Sequence, residues 1–225
     1  MDILVTGGEQ GLGKAICSIL TEQGHNVDII TGDNIMIAHK LNALKKFIDD
    51  SLDGLSYDVV INNFGVNSLS WIGETNERDE AIMACNVMAP YWVINRLVSN
   101  GCVCKVINIA SQTYRIPQRT TSLYCASKAA LVQMTKVMAR ELAPKGWVVN
   151  AFCPGKIIGT SMTEKTDAQV SELRGWGKEE ADEYAKKLIP AGRFMSVEEA
   201  AEIVINIIKM GDYVNGAVIE AMGGV

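Results

Sequence analysis

Near the start of the chain the run Thr6-Gly7-Gly8-Glu9-Gln10-Gly11-Leu12-Gly13 follows directly on the apolar triplet Ile3-Leu4-Val5. Glycines spaced this way after a short buried strand confine the backbone to a tight turn that can approach an anion closely. Leu12, Ile16, Ile19 and Leu20 then recur at helical spacing, so a helix leaves the turn and its N-terminal amides and dipole face whatever the turn holds. Strand, glycine turn and helix in that order suit the pyrophosphate of a dinucleotide. Taken alone, the same residues also fit a plain glycine-rich turn.

The alternation continues along the chain. Strands are expected at residues 26–31, 59–61, 105–110, 147–152 and 217–221, with helices at 78–99, 122–143 and 197–210, and such alternation predicts a parallel sheet covered by helices on both faces. Ser196 and Glu199 stand at capping-box spacing before the last helix. Residues 155–190 read as an irregular substrate loop. Between Asp33 and Asp58 the apolar residues Ile37, Leu41, Leu44, Ile48 and Leu52 form one stripe at steps of four, three, four and four, which predicts a single helix. With 225 residues, 48% hydrophobic and 21% charged, the chain can bury one large core, and residues 1–225 are read as a single domain.

A net charge of -5 without a lysine or arginine cluster argues against nucleic acid or an anionic membrane as partner. No uninterrupted apolar run reaches spanning length, and Met1 leads straight into the first strand, so a cytoplasmic protein without a targeting segment is expected. The six cysteines lack metal-ligand spacing and only His25 and His39 could assist them; no metal site is expected, and the thiols read as reduced and mostly buried. Cys125 adjoins Tyr124 and could meet an electrophile, although helix geometry favours its packing away.

Tyr124-Cys125-Ala126-Ser127-Lys128 places a phenol and an ammonium four residues apart in a helix-forming run, hence on one helical face. A cation beside a phenol favours the phenolate and would bring a group of pKa near 10 into range for general acid and base work. The plain alternative is a core tyrosine beside a solvated lysine.

Asn62-Asn63-Phe64-Gly65 after one strand, Asn86 within a long helix, Ser111 ending the strand Val106-Ile107-Asn108-Ile109-Ala110, and Pro154-Gly155 closing another lie in order with the glycine turn and the Tyr124/Lys128 pair. The set resembles the short-chain dehydrogenase/reductase family over essentially the whole chain. The resemblance implies a Rossmann-like, doubly wound, three-layer α/β/α fold. It also implies an NAD(P)-dependent oxidoreductase acting on a small or medium carbonyl or alcohol compound. Catalytic roles fall on Tyr124 as proton donor and acceptor, Lys128 as its electrostatic partner and ribose ligand, Ser111 as orienter of the substrate oxygen, and Asn86 as holder of a relay water. Ser111 could instead only cap a strand end, and Asn86 only bond a neighbouring backbone group. Gly7, Gly11, Leu12, Gly13, Asn63, Gly65, Lys128, Pro154, Gly155 and Thr160 match the family's cofactor-binding positions, Thr160 toward the nicotinamide carboxamide.

Against the family pattern the segment between Asp33 and Asp58 is short, so a six-stranded sheet is expected, without the family's third strand and without the adenine-binding residue that the end of that strand supplies. Phe64 stands where the family usually has alanine. Asp33 at the end of the second strand, supported by Glu9, favours NAD(H) over NADP(H), since a 2'-phosphate would meet negative charge there; Asp33 could instead only cap the following helix. Trp71, residues 112–114 and residues 157–176 are the candidate substrate contacts, with Trp176 equally readable as a loop anchor. The family's dimers and tetramers imply a homo-oligomer through the two long central helices, for which Leu131, Met134, Thr135 and Met138 offer a stripe. Two other readings remain: a non-catalytic dinucleotide-binding or redox-sensing protein, and a sugar-nucleotide epimerase or dehydratase.

Overall fold

The computed structural model describes residues 1–31, 41–74 and 79–225. Strands β1 (Asp2–Thr6), β2 (Asn26–Ile30), β3 (Val59–Asn62), β4 (Lys105–Ile109), β5 (Val148–Pro154) and β6 (Val218–Ala221) form one sheet in the order β2-β1-β3-β4-β5-β6. Every adjacent pair is parallel. Among the described residues β2 is therefore the edge strand, as the short segment after it predicts, and the sheet has the expected six strands.

Alternation along each strand sorts the core into two layers. Leu4, Val60, Val106 and Val149 face one side, where they pack under α2 (Leu41–Ser51), α3 (Asp79–Met83), α4 (Ala89–Ser99) and the far end of α5 (Ser122–Leu142). Ile3, Val5, Val59, Ile61, Ile107, Ile109 and Phe152 face the other, under α1 (Gly11–Glu22) and a helix formed by Val197–Ile208. Three layers result. The stripe that predicts α2 is borne out at Leu44, Ile48 and Leu52, all buried, while Leu41 is exposed and Ile37 lies outside the described residues.

Two sequence expectations need correction. Residues 155–190 are not irregular: they contain α6 (Ser161–Arg174) and α7 (Lys178–Lys187), which makes Val197–Ile208 α8. Neither α6 nor α7 buries a residue completely, so no apolar stripe marked them. Local devices delimit them instead. The Thr160 hydroxyl accepts a hydrogen bond from the Thr163 amide, Gly175 takes the left-handed conformation at φ 66°, and α7 runs from Glu179 and Glu180 to Lys186 and Lys187, in line with its dipole.

The stripe Leu131, Met134, Thr135 and Met138 is likewise not an outer face. Leu131, Thr135 and Met138 are buried against the sheet, because the apolar side of α5 is needed for the core. Finally, the helical run Asp79–Ser99 is long and apolar enough to cross a membrane, although polar residues interrupt it in the sequence, but 56% of its most apolar window is buried in the protein. It is a core helix.

Phe152 is wholly buried in the layer under α1 and α8. Phe152→Ala is expected to lower the unfolding free energy by about 3–5 kcal/mol, whereas Tyr213→Ala, at a fully exposed side chain, should change it by less than about 0.5 kcal/mol; denaturant titration of both variants checks this.

Candidate active site

The candidate site lies at the carboxyl ends of β1, β3, β4 and β5. Gly7 and Gly11 sit at φ 67° and 51°, a region that side chains resist. At Gly13 a Cβ would come within 2.0 Å of the Gly7 carbonyl oxygen, so only glycine lets α1 start this close to the end of β1. Leu12 buries its side chain in the core beside Ile16, which leaves its backbone to face the turn. These features fit a dinucleotide phosphate: a compact turn, open backbone and the N-terminus of α1.

Asn63 serves this turn from below. Its Nδ2 donates to the carbonyls of Thr6 (3.0 Å) and Gly7 (2.8 Å), while the amides of Asn63 and Phe64 donate to Thr6 Oγ1 at 3.1 Å. The polar atoms of Asn63 thus hold the glycine turn in place. Thr6, missed in the sequence because a strand threonine carries no motif, is the other half of that staple. On the far side Thr160 lies against the turn, its Cβ and Cγ2 3.4 and 3.3 Å from where a Gly11 Cβ would be. Gly155 hydrogen-bonds β6 through its amide to the Ala221 carbonyl at 2.9 Å, directly after Pro154 ends β5. Asp33 lies outside the described residues.

Ser111, Tyr124, Lys128 and Asn86 come together at the end of β4. Ser111 caps the 3-10 turn Gln112–Tyr114, accepting from the Thr113 amide at 3.2 Å, and its hydroxyl stands near enough to the Tyr124 phenol to favour the phenolate. Lys128, buried, donates to the Ile109 carbonyl at 2.9 Å and lies 5.7 Å from the centroid of the Tyr124 ring.

Asn86 sits in a π-helical turn, Ala84–Met88, between α3 and α4. Its Oδ1 accepts from the Val66 amide (2.8 Å), and Nδ2 donates to the Val66 carbonyl and to Ser127 Oγ, both at 2.9 Å. Ser127, fully buried, passes its own hydrogen bond to the Tyr124 carbonyl at 2.8 Å. Asn86 Oδ1 and Lys128 Nζ each lie 3.3 Å from where a Cβ of Gly65 would be, so the missing side chain at Gly65 keeps the space between them open. The π-turn and Ser127 carried no signal in the sequence beyond a serine inside Tyr124–Lys128.

The electrostatics differ from the expectation that Lys128 lowers the Tyr124 pKa. Tyr124 keeps part of its surface exposed, yet crowding by protein raises its phenol to about 12, against the opposing effect of the Ser111 hydroxyl. Lys128 is pushed down to about 8 by its burial. Desolvation therefore dominates both groups in the protein by itself. Cys153, wholly buried at the end of β5, has its thiol raised to about 12 by the same cause, consistent with an inert core thiol. Cys125 Sγ lies 3.2 Å from Thr121 Oγ1, one turn back on α5. Trp176 packs edge-on against Tyr184 at 5.1 Å, with the Arg174 guanidinium 4.8 Å from its ring, which makes it an anchor between α6 and α7.

The lysine shift has a measurable consequence. Lys128 holds its proton up to 10.5 in the unfolded chain but only to about 8 when folded. Between those values the unfolded state binds more protons, so stability rises with pH across that window. Relative to Lys128→Met, the cofactor-free protein should gain stability as pH increases from about 8 toward 10.5 and show a constant difference below pH 8, as read by denaturant melts of both proteins.

Comparison with known proteins agrees with this geometry. A family model for short chain dehydrogenases matches residues 32–171. The chain is 29% identical over 250 positions to L-2,3-butanediol dehydrogenase of Corynebacterium glutamicum, covering 98% of this chain and 96% of that protein. It is 30% identical over 254 positions to diacetyl reductase [(S)-acetoin forming] of Staphylococcus aureus, with 98% and 96% covered. Both aligned spans exceed the 225 residues present here, so these relatives carry residues that this chain lacks. The structure of a short chain dehydrogenase family protein from Francisella tularensis superimposes with a TM-score of 0.86 at 25% identity, covering 99% of this chain and 97% of that one. With a glycine turn at the β1 end, a serine, tyrosine and lysine gathered at the β4 end, and these matches across its length, the chain belongs to the short-chain dehydrogenase/reductase family.

Proposed function

We propose that this protein is an NAD(P)-dependent oxidoreductase, NAD(H) being preferred, that interconverts a small or medium carbonyl compound and its alcohol, with Tyr124 as general acid and base. The observation that carries this reading is the gathering of Ser111, Tyr124 and the buried Lys128, whose Nζ lies 5.7 Å from the centre of the Tyr124 ring, at the strand ends beside the glycine turn. The bound nicotinamide supplies or accepts the hydride. Gly7, Gly11, Leu12 and Gly13 offer backbone to its phosphates, Asn63 and Gly65 shape the floor, and Pro154, Gly155 and Thr160 form the opposite wall.

Tyr124 donates its proton to a carbonyl oxygen, or takes one from an alcohol in the reverse direction. Ser111 shares that oxygen and stabilises its developing negative charge. The cation of Lys128 favours the tyrosinate once the proton has gone and offers a donor to the ribose. Asn86 keeps one lone pair of Oδ1 for a water beside Lys128, because Val66 and Ser127 occupy its other positions.

Relatives named for butanediol and diacetyl support a small substrate. An acidic Asp33 after β2 and Glu9 in the glycine turn support NAD(H). The whole chain acts as one domain. All six cysteines are unpaired thiols, which supports a reducing compartment such as the cytoplasm. Exposed Met83, Tyr91, Leu123 and Val137 on α3, α4 and α5 support a homodimer or homotetramer through those helices.

A panel of small ketones, diketones and alcohols, beginning with diacetyl and 2,3-butanediol, assayed with both cofactors by nicotinamide absorbance, tests the reading. Higher catalytic efficiency with NADPH than with NADH would overturn the cofactor assignment. Tyr124→Phe should abolish nearly all turnover while leaving dinucleotide affinity unchanged by calorimetry, and Ser111→Ala should lower kcat by about 10²–10³. Alcohol oxidation should rise with pH as Tyr124 loses its proton. Near wild-type turnover in Tyr124→Phe would remove the acid and base role.

A further inference from the structure

The helices α6 and α7 are held to the rest of the protein by something other than a buried apolar face, since neither buries a residue completely. Their roots are residues 156–158 and 194–195. The Met195 amide donates to the Lys156 carbonyl at 3.1 Å, the Ile158 amide donates to the Met195 carbonyl at 3.0 Å, and Ile157 bridges Met195. At its outer side α6 touches the walls of the site. Ser161 Oγ donates to Gln10 Oε1 of the glycine turn at 2.8 Å, and Asn67 of the loop after β3 donates to Thr166 Oγ1 at 3.4 Å. α6 therefore spans from the end of β5 across the cleft, with α7 packed behind it.

One cation gathers this arrangement at its root. Lys156 Nζ lies 2.8 Å from Asp167 on α6 and 3.1 Å from Asp182 on α7, and it stands over the Phe194 ring at 4.3 Å. Lys186, one turn beyond Asp182 on the same face of α7, approaches Phe194 at 5.6 Å. All three members of the charge cluster are less than a third exposed, so their attraction is screened less than that of an open surface pair. Two carboxylates from two consecutive helices would repel each other without the ammonium between them. Lys156 immediately follows Gly155, so the charge that fixes the helices is carried by the backbone that forms one wall of the site.

We propose that Lys156 is a positioning residue: by tying Asp167 and Asp182 together it holds α6 and α7 closed over the cleft and thereby sets substrate affinity, apart from cofactor affinity and the chemical step. The inference rests on the oxidoreductase reading for its substrate arm only. Lys156→Met should speed amide hydrogen exchange across residues 161–187 by on the order of tenfold, leaving β4 and β5 unchanged. It should raise KM for diacetyl with NADH by on the order of tenfold, the shift for about 1.4 kcal/mol of weakened closure. Values of kcat and NADH affinity should stay within about twofold. Lys156→Arg, which can still bridge both carboxylates, should restore exchange and KM, and Asp167→Asn should weaken both partially. Unchanged exchange in Lys156→Met, or a fall in kcat with KM unaltered, would overturn the proposal. Exchange is read on the protein alone, so the latch is decided even where the oxidoreductase reading fails.

Discussion

Two neighbouring parallel strands that send their chains to opposite faces of a sheet must part at their carboxyl ends. Here that divergence falls between β1, which feeds α1 on one face, and β3, which feeds the loop to α3 and α4 on the other. Left alone, the gap would expose backbone donors and acceptors. The hydrogen bonds between Thr6, Gly7, Asn63 and Phe64 close it, and Gly13 then packs against Gly7 with no room for a side chain. The crevice that remains is where ligands of open α/β sheets bind. Its position follows from strand order, and its shape from that staple.

Tyr124 and Lys128 show how burial competes with charge. Lys128 gives one of its ammonium hydrogens to the Ile109 carbonyl and meets the face of the Tyr124 ring, so its field reaches the phenol less directly than a contact with the oxygen would. Desolvation wins, and Tyr124 stays a neutral phenol. A neutral phenol is the form that donates a proton to a carbonyl. Asn86 acts through position: the π-turn that carries it lets its amide clasp Val66 and Ser127 together, which fixes α5, and with it Tyr124 and Lys128, against the loop after β3.

The core and the helices over the cleft are stabilised differently. α1 and α8 pack apolar faces on the sheet, where burial gives cooperativity and rigidity. α6 and α7 rely on caps, a Trp176–Tyr184–Arg174 stack and the charges around Lys156. Interactions of that kind are individually weak and reversible.

The alternation of short apolar runs with helical stripes was enough to reveal the parallel sheet and the helices that pack on it, because each stripe and each run must be buried against the other. Glycines whose conformation or packing excludes side chains, and a Tyr-x-x-x-Lys spacing that shares a helical face, likewise leave marks in the sequence alone. The tertiary structure alone decided the rest. Polar helices such as α6 and α7 bury no stripe and so print no period. Whether Leu131 and Met138 face a partner or the sheet depends on which side of α5 the sheet occupies. The pKa of Tyr124 depends on how many protein atoms crowd its oxygen, and the partners of Thr6, Ser127 and Lys156 lie 57, 41 and 26 residues away. Contacts at that separation are set by folding in three dimensions, where local sequence carries no record of them.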